Sequence, residues 1–228
     1  NLGEHNGGSY LLAAILFTVQ IYGDFSGYSL IAIGAARVMG FHLMDNFRRP
    51  YLATSVTEFW HRWHISLSTW FKDYVYIPLG GNRVSQWKNY LNIMVTFTIS
   101  GIWHGANWTF IAWGALHGLL QCAEKRIGWA KRKWKGTLRI CHMMLTFSII
   151  CLTWIFFRAC SLKEAVLVIQ GIITHPGAPY VQVADFVAIG IALFIVACRE
   201  VAEEWHTGIR LSDAQPWVAR HLDITTII

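Results

Sequence analysis

Four of the ten histidines in this 228-residue chain stand where an imidazole could do chemistry, and His104 leads them. It lies in Gly101-Ile102-Trp103-His104-Gly105, within the run Asn89–Ala123, which is 35 residues long and contains no Asp, Glu, Lys or Arg. An ionisable side chain in an apolar stretch costs free energy to bury, so it is a functional candidate by default. The flanking glycines admit close approach of a backbone or a substrate. Imidazole titrates near neutrality, and its neutral form is what a general base requires. The plainer alternative is a histidine that only hydrogen-bonds a neighbouring helix.

His61 and His64 are three residues apart, which on a helix puts them roughly on one side. Such a pair could ligate a metal, but no Cys or carboxylate stands at a supporting spacing, so no metal site is expected. His64 shares its helical face with Trp60 and Leu67 and is expected to point inward, while His61 is expected at the headgroups. His117, thirteen residues after His104, is expected to serve helix packing. There is no GxSxG, P-loop or Gly-rich dinucleotide turn. The five cysteines, Cys122, Cys141, Cys151, Cys160 and Cys198, are odd in number and irregular in spacing. They read as small buried hydrophobes and not as a disulfide framework.

Composition says what kind of element must hold these groups. Charged residues make up 14% of the chain and hydrophobic ones 54%. Soluble globular proteins carry roughly 25% charged residues. Mean hydropathy is +0.38. Too few charges remain to coat a water-facing surface, which excludes a disordered chain, a collagen-like repeat and a soluble enzyme and leaves an integral membrane protein. The net charge of +6 does not point to nucleic acid, because seven of the 19 Lys and Arg fall between Lys125 and Arg139, beside long apolar segments. A basic juxtamembrane loop is the positive-inside signal, with anionic headgroups as counter-ions. The chain opens Asn1-Leu2-Gly3 without a basic region leading into a short apolar one, so no signal peptide is expected and the chain reads as a fragment or trimmed product.

The expected organisation is all-α, a multi-pass transmembrane bundle with interfacial or re-entrant helices, forming one partial domain over residues 1–228. A first span over Tyr10–Tyr22 is expected to break at Asp24-Phe25-Ser26-Gly27, and a second to follow over Tyr28–Met44. Pro50 stops the helical pattern. Ser55 and Glu58 have capping-box spacing, so a helix should start at Ser55 and carry Trp60, His64, Leu67 and Phe71 on one face. With its charges and rings this segment is expected to lie in the interface or pack on the bundle. One straight helix over Asn89–Ala123 would run about 52 Å, against a hydrocarbon core of roughly 30 Å, so the stretch should fold back on itself near Ile102-Trp103-His104. Basic residues before and after it also require an even number of crossings. Ile140–Phe157 is a clear span, Leu162–Thr174 a short amphipathic helix, and Val183–Cys198 a final span. Asp24, Arg37, Arg62, Asp73 and Arg158 flank the segments as interfacial anchors or in local pairs.

The run YGDFSGYSLIAIGAARVMGFHLMDNFRRPYLATSVTEFWHRWHISLSTWFKDYVYIPLGGNR, Tyr22 to Arg83, resembles membrane-bound O-acyltransferases of the bacterial alginate O-acetyltransferase type. GIWHGANWTFIAWGALHG, Gly101 to Gly118, is similar to that family's active-site motif, and WIFFRACSLKEA, Trp154 to Ala165, to a later segment. Family members extend further at the amino-terminal side, so the likeness implies a carboxy-terminal portion with amino-terminal helices missing. It also implies His104 as the catalytic histidine and His64 as the second polar position of the site. The implied activity is transfer of an acyl group, expected to be acetyl, from a cytoplasmic thioester toward hydroxyls of an exported polysaccharide. Acetyl-CoA is the expected donor, and no cofactor is expected to be tightly bound. The acceptor is a polysaccharide or a periplasmic or surface acyltransferase partner, and the location a bacterial inner membrane.

Acyl transfer to a hydroxyl needs a base for the hydroxyl proton, which suits His104. His64 could orient the nucleophile or, if protonated, polarise the thioester carbonyl. Trp103, Asn107 and Trp108 offer N–H groups to a developing oxyanion, and Trp60 and Arg62 complete the candidate substrate contacts. Leu30 departs from the family pattern, where an acidic residue often follows Gly-Tyr-Ser. Three alternatives stay open: D-alanyl transfer to teichoic acids by the related branch, a transporter using the histidines as a proton relay, or a scaffold in which they only pack. Transporters tend to have paired broken helices, and only one Gly-flanked break is visible here.

Overall fold

The structure is a computed structural model that describes residues 5–205, so the chain start at Asn1-Leu2-Gly3 lies outside the described residues. The chain divides between Tyr180 and Val181 into two compact units. The first contains α1 (Gly7–Val38), α2 (Val56–Arg62), α3 (Ile65–Phe71), α4 (Gln86–His104), α5 (Trp108–Ile127), α6 (Gly136–Arg158) and α7 (Leu162–Thr174). In the second, α8 runs over Val183–Glu204, past the expected end of its span at Cys198. Among the described residues no strand occurs. Among the described residues two helices, α1 and α6, are long and apolar enough to cross a membrane.

The start of the chain differs from the expected pair of spans. The expected break at Asp24–Gly27 does not occur, and a single helix of 32 residues, about 48 Å long, replaces the two spans. Interior glycines cost a helix only about 1 kcal/mol each, and without a proline the backbone hydrogen bonds continue through them. The helix ends at Val38, short of the expected Met44, and residues 39–49 form a loop. Its start is held by Asn6, whose Oδ1 accepts from the Ser9 N–H at 3.0 Å while its amide donates to the Ala178 carbonyl at 2.6 Å.

The uncharged stretch folds back as its length demands. The α4 and α5 helices form an antiparallel hairpin with His104 as the last residue of the first arm. The reversal is at Gly105, with φ +155° and ψ 160°, a region open essentially to glycine alone. Asn107 then caps α5, its Oδ1 accepting from the Thr109 N–H at 3.1 Å. Gly101 is not part of the reversal; it lies in the helix–helix crossing. A Cβ on Gly101 would overlap the Phe110 carbonyl oxygen, and one on Gly114 would overlap the Phe97 carbonyl oxygen. Small residues at these crossings let the backbones come into contact, the usual device where lipid supplies no hydrophobic drive between helices.

The helix starting at Ser55 also differs from the expected one. Ser55 is its N-cap, with Oγ accepting from the Glu58 N–H at 3.0 Å. The Glu58 carboxylate, however, reaches the Thr54 N–H at 2.7 Å and not the Ser55 N–H, so only half of the capping box forms. The helix then stops at Arg62. Trp63 is extended and His64 takes the left-handed conformation, φ 43° and ψ 55°, before α3 begins. The single face expected for Trp60, His64, Leu67 and Phe71 is therefore two short helices joined by a kink. Loop 45–49 enforces that kink: the Arg48 N–H donates to the Arg62 carbonyl at 2.9 Å and the Ile65 N–H to the Asn46 carbonyl at 3.0 Å. Backbone groups that a straight helix would satisfy internally find partners in the loop instead.

A cluster of buried rings joins these pieces. Phe59, Trp60 and Trp63 pack with Trp113 of α5 and Trp154 of α6, and the Trp113 and Trp154 rings stack at 5.7 Å. His117 is fully buried, as expected for packing, and its Nδ1 accepts from the Trp60 indole N–H at 3.1 Å. At the other end of α5, the Glu124 carboxylate accepts from the Val56 and Thr57 N–H groups at 2.6 and 2.8 Å and from the Thr57 hydroxyl at 2.7 Å. A carboxylate placed there satisfies otherwise unpaired donors at the start of α2. Two variants test these contacts by thermal unfolding of the detergent-solubilised protein. Gly114→Val should cost about 1–3 kcal/mol by forcing α4 and α5 apart. Glu124→Ala should cost about 1–3 kcal/mol by leaving the α2 donors unpaired. An unchanged melting temperature in either would refute the corresponding contact.

Candidate active site

The tip of the α4–α5 hairpin and the kink between α2 and α3 bring their histidines to one cleft. It has a volume of about 250 Å³ and is lined by residues that include His64, His104, Trp60, Leu67 and Trp103. Phe25 and Tyr28 of α1, Trp113 of α5, and Trp154 and Phe157 of α6 complete most of the wall. His104 stands in an aromatic box. Its ring meets Trp113 at 5.1 Å and 90°, Phe157 at 5.1 Å and 77°, and Trp103 at 5.0 Å and 80°. Edge-to-face contacts of this kind fix the plane of a ring without occupying its nitrogens.

His64 is held differently. Phe25 packs on it edge-to-face at 4.6 Å, and its Nδ1 lies 3.3 Å from the Asn46 side-chain oxygen. Its left-handed backbone costs of the order of 1 kcal/mol or more for a residue with a Cβ. Strain of this size persists only where the surroundings over-determine it, and here the 45–49 loop does so. Burial, with the proximity of His104 adding to it, lowers His64 to about 4. It is therefore neutral at neutral pH and is placed to accept a hydrogen bond through one nitrogen while donating through the other.

The remaining candidates from the sequence divide into those at the cleft and those away from it. Trp60 and Trp103 line it. Arg62 instead bonds the Glu58 carboxylate at 2.6 Å and the Arg49 carbonyl at 3.3 Å, bracing the loop. Besides capping α5, Asn107 donates to the Cys160 carbonyl at 3.0 Å, tying the hairpin turn to the segment after α6. Trp108 is exposed, at 71%. Neither Asn107 nor Trp108 is among the cleft residues. His61 bonds the Thr57 carbonyl at 2.8 Å through Nδ1, on the exposed side of α2.

Sequence reasoning missed Trp113, Trp154 and Phe157, each of which reads as an ordinary apolar residue of a span, and Phe25, which falls in the expected break after the first span. It also missed Asn46, whose only signal was an Asn in a loop ahead of a proline.

Similarity to known proteins identifies the family. The sequence profile described as "MBOAT, membrane-bound O-acyltransferase family" matches residues 9–135. The chain is 46% identical over 166 residues to the probable alginate O-acetylase AlgI of Azotobacter vinelandii, covering 72% of this chain and 32% of that protein. It is 44% identical over 163 residues to the peptidoglycan O-acetyltransferase of Helicobacter pylori, covering 71% and 31%. Against the teichoic acid D-alanyltransferase of Bacillus subtilis, identity is 31% over 153 residues, covering 62% and 39%. The matched part therefore spans about a third of the length of these relatives. With the profile covering both histidines of the cleft and the surrounding motifs, the chain belongs to the membrane-bound O-acyltransferase family.

Proposed function

We propose that this chain carries the catalytic cleft of a multi-pass inner-membrane O-acyltransferase that moves an acetyl group from a cytoplasmic thioester, acetyl-CoA, toward hydroxyls of an exported polysaccharide. The acceptor is the glycan itself or a periplasmic acyltransferase that relays the group to it. The observation that carries this reading is the meeting of two imidazoles, one from the tip of the α4–α5 hairpin and one from the kink between α2 and α3, in one aromatic-walled cleft. The names of the relatives support acetyl transfer over the other branch, since the acetylases match at 44–46% and the D-alanyltransferase at 31%.

In this reading His104 is the general base. As the acceptor hydroxyl oxygen attacks the thioester carbonyl, the proton leaves for an imidazole nitrogen of His104. The C–O bond forms, the C–S bond breaks, and the proton passes to the departing thiolate, so no external proton source is needed. The walls of the cleft are mostly aromatic and apolar, which strengthens the electrostatic contacts made inside. His64, neutral and anchored from behind, orients the attacking hydroxyl. Trp103, which lines the cleft beside His104, donates its indole N–H to the developing oxyanion.

The test is O-acetyl content of the exported polymer in cells carrying the complete protein and its partners. His104→Ala should insert and fold normally while lowering acetylation by about 10²- to 10⁴-fold, the range for loss of a positioned acid–base group. Polymer acetylated at the wild-type level by that variant would end the assignment.

A further inference from the structure

Asn46 belongs to no motif that singles it out, yet its side chain organises the back of His64. Its Oδ1 accepts from the Ser66 backbone N–H at 3.2 Å and from the Ser66 hydroxyl at 2.7 Å, and it faces His64 Nδ1 at 3.3 Å. Its amide nitrogen donates to the Ser29 hydroxyl of α1 at 3.3 Å. A backbone N–H can only donate, so the Ser66 amide fixes which Asn46 atom is the oxygen. With an acceptor opposite, Nδ1 of a neutral His64 must carry the ring proton. The Ser66 hydroxyl, 3.5 Å from the same nitrogen, does not compete. Its single proton is engaged by the Asn46 oxygen, and turning it toward Nδ1 would leave two bare acceptors 2.7 Å apart. A neutral imidazole protonated at Nδ1 leaves Nε2 as a bare lone pair, and among the described residues Nε2 has no protein hydrogen-bond partner.

We propose that Asn46 is a positioning residue that locks His64 in the tautomer protonated at Nδ1, so that His64 meets the cleft as a hydrogen-bond acceptor through Nε2. This rests on the acyl-transfer reading for its catalytic consequence but not for the tautomer itself. It also chooses between the two roles left open for His64. A bare Nε2 accepts from the attacking hydroxyl and cannot donate to a thioester carbonyl. The loop that brings Asn46 into place is the same one that holds the left-handed backbone at His64, so ring position and proton position have a common origin. Asn46 also ties the arrangement to α1 through Ser29.

The direct measurement is ¹⁵N NMR of the complete protein in lipid nanodiscs with ¹⁵N-labelled histidine, using His64→Gln to assign the signal. The wild type should show a protonated Nδ1 and an unprotonated Nε2 for His64. Asn46→Asp keeps an acceptor oxygen in the same place, because Ser29 can reverse its hydrogen bond, and should keep that pattern. Asn46→Leu, close in shape and without an acceptor, should lose it. In acetylation kinetics Asn46→Leu should lower kcat about 10- to 100-fold with little change in KM for the acceptor, the scale on which orienting partners behind a catalytic ring act. Asn46→Asp should restore most of the rate.

A wild-type His64 protonated at Nε2 would overturn the proposal, as would an Asn46→Leu protein that keeps both the Nδ1 pattern and the wild-type kcat. If Asn46→Leu does not insert, the wild-type and Asn46→Asp spectra still decide. Loss of activity in His104→Ala together with a wild-type Nε2–H signal at His64 would leave the acyltransferase reading standing and remove this one. The expected tautomer in a protein that transfers no acyl group would do the opposite.

Discussion

Contact between the backbones of α4 and α5 at Gly101 and Gly114 is what the rest of the site depends on. It lets a long uncharged stretch double back on itself and leaves the end of α4, with His104, at the tip of the hairpin. Side chains larger than hydrogen at those two positions would separate the arms and move the tip away from α6. The box of Trp113, Phe157 and Trp103 around the imidazole would then lose its walls, because one of its rings lies on each of α4, α5 and α6.

The second histidine reaches the same cleft by the opposite device. His104 follows from permissive glycines, whereas His64 sits in a left-handed conformation that a residue with a Cβ avoids. The strain is tolerated because loop 45–49 takes up the backbone donors and acceptors that the break between α2 and α3 leaves open. Both arrangements put an imidazole at a helix end and not along a helix side. At a helix end a ring can be approached from several directions, which suits a site where two reactants must meet.

Interior polar groups form a second layer that ties the short helices to the long ones. The carboxylate of Glu124 holds the start of α2, His117 receives the indole N–H of Trp60, and Lys125 bonds the side chain of Asn89. Asn89 and Asn92 in turn both donate to the Gly81 carbonyl, fixing the Pro78-Leu79-Gly80-Gly81 turn against α4. Each contact pairs a buried polar group that would otherwise lower stability. Together they couple the position of α2, and so of the His64 kink, to the hairpin that carries His104.

Much of this was legible without coordinates. Charge counting alone required a fold-back within Asn89–Ala123, since no helix of that length fits a bilayer, and α6 and α7 fall close to where uncharged runs and caps put them. The motif around His104 and the RWH segment carry the family likeness directly. Periodicity misled in two places. Asp24-Phe25-Ser26-Gly27 looked like a break but is accommodated in α1, because a helix interior without a proline keeps its hydrogen bonds. Four residues at helical spacing from Trp60 to Phe71 looked like one face, but the kink at His64 is set by hydrogen bonds from residues 46 and 48, distant in sequence, and no local pattern encodes those. The membership of the cleft, the role of Asn46 and the retirement of Arg62 and Asn107 to structural bonds were decided by tertiary structure alone. Burial and hydrogen-bond partnership belong to pairs of segments, whereas a sequence displays only the segments one at a time.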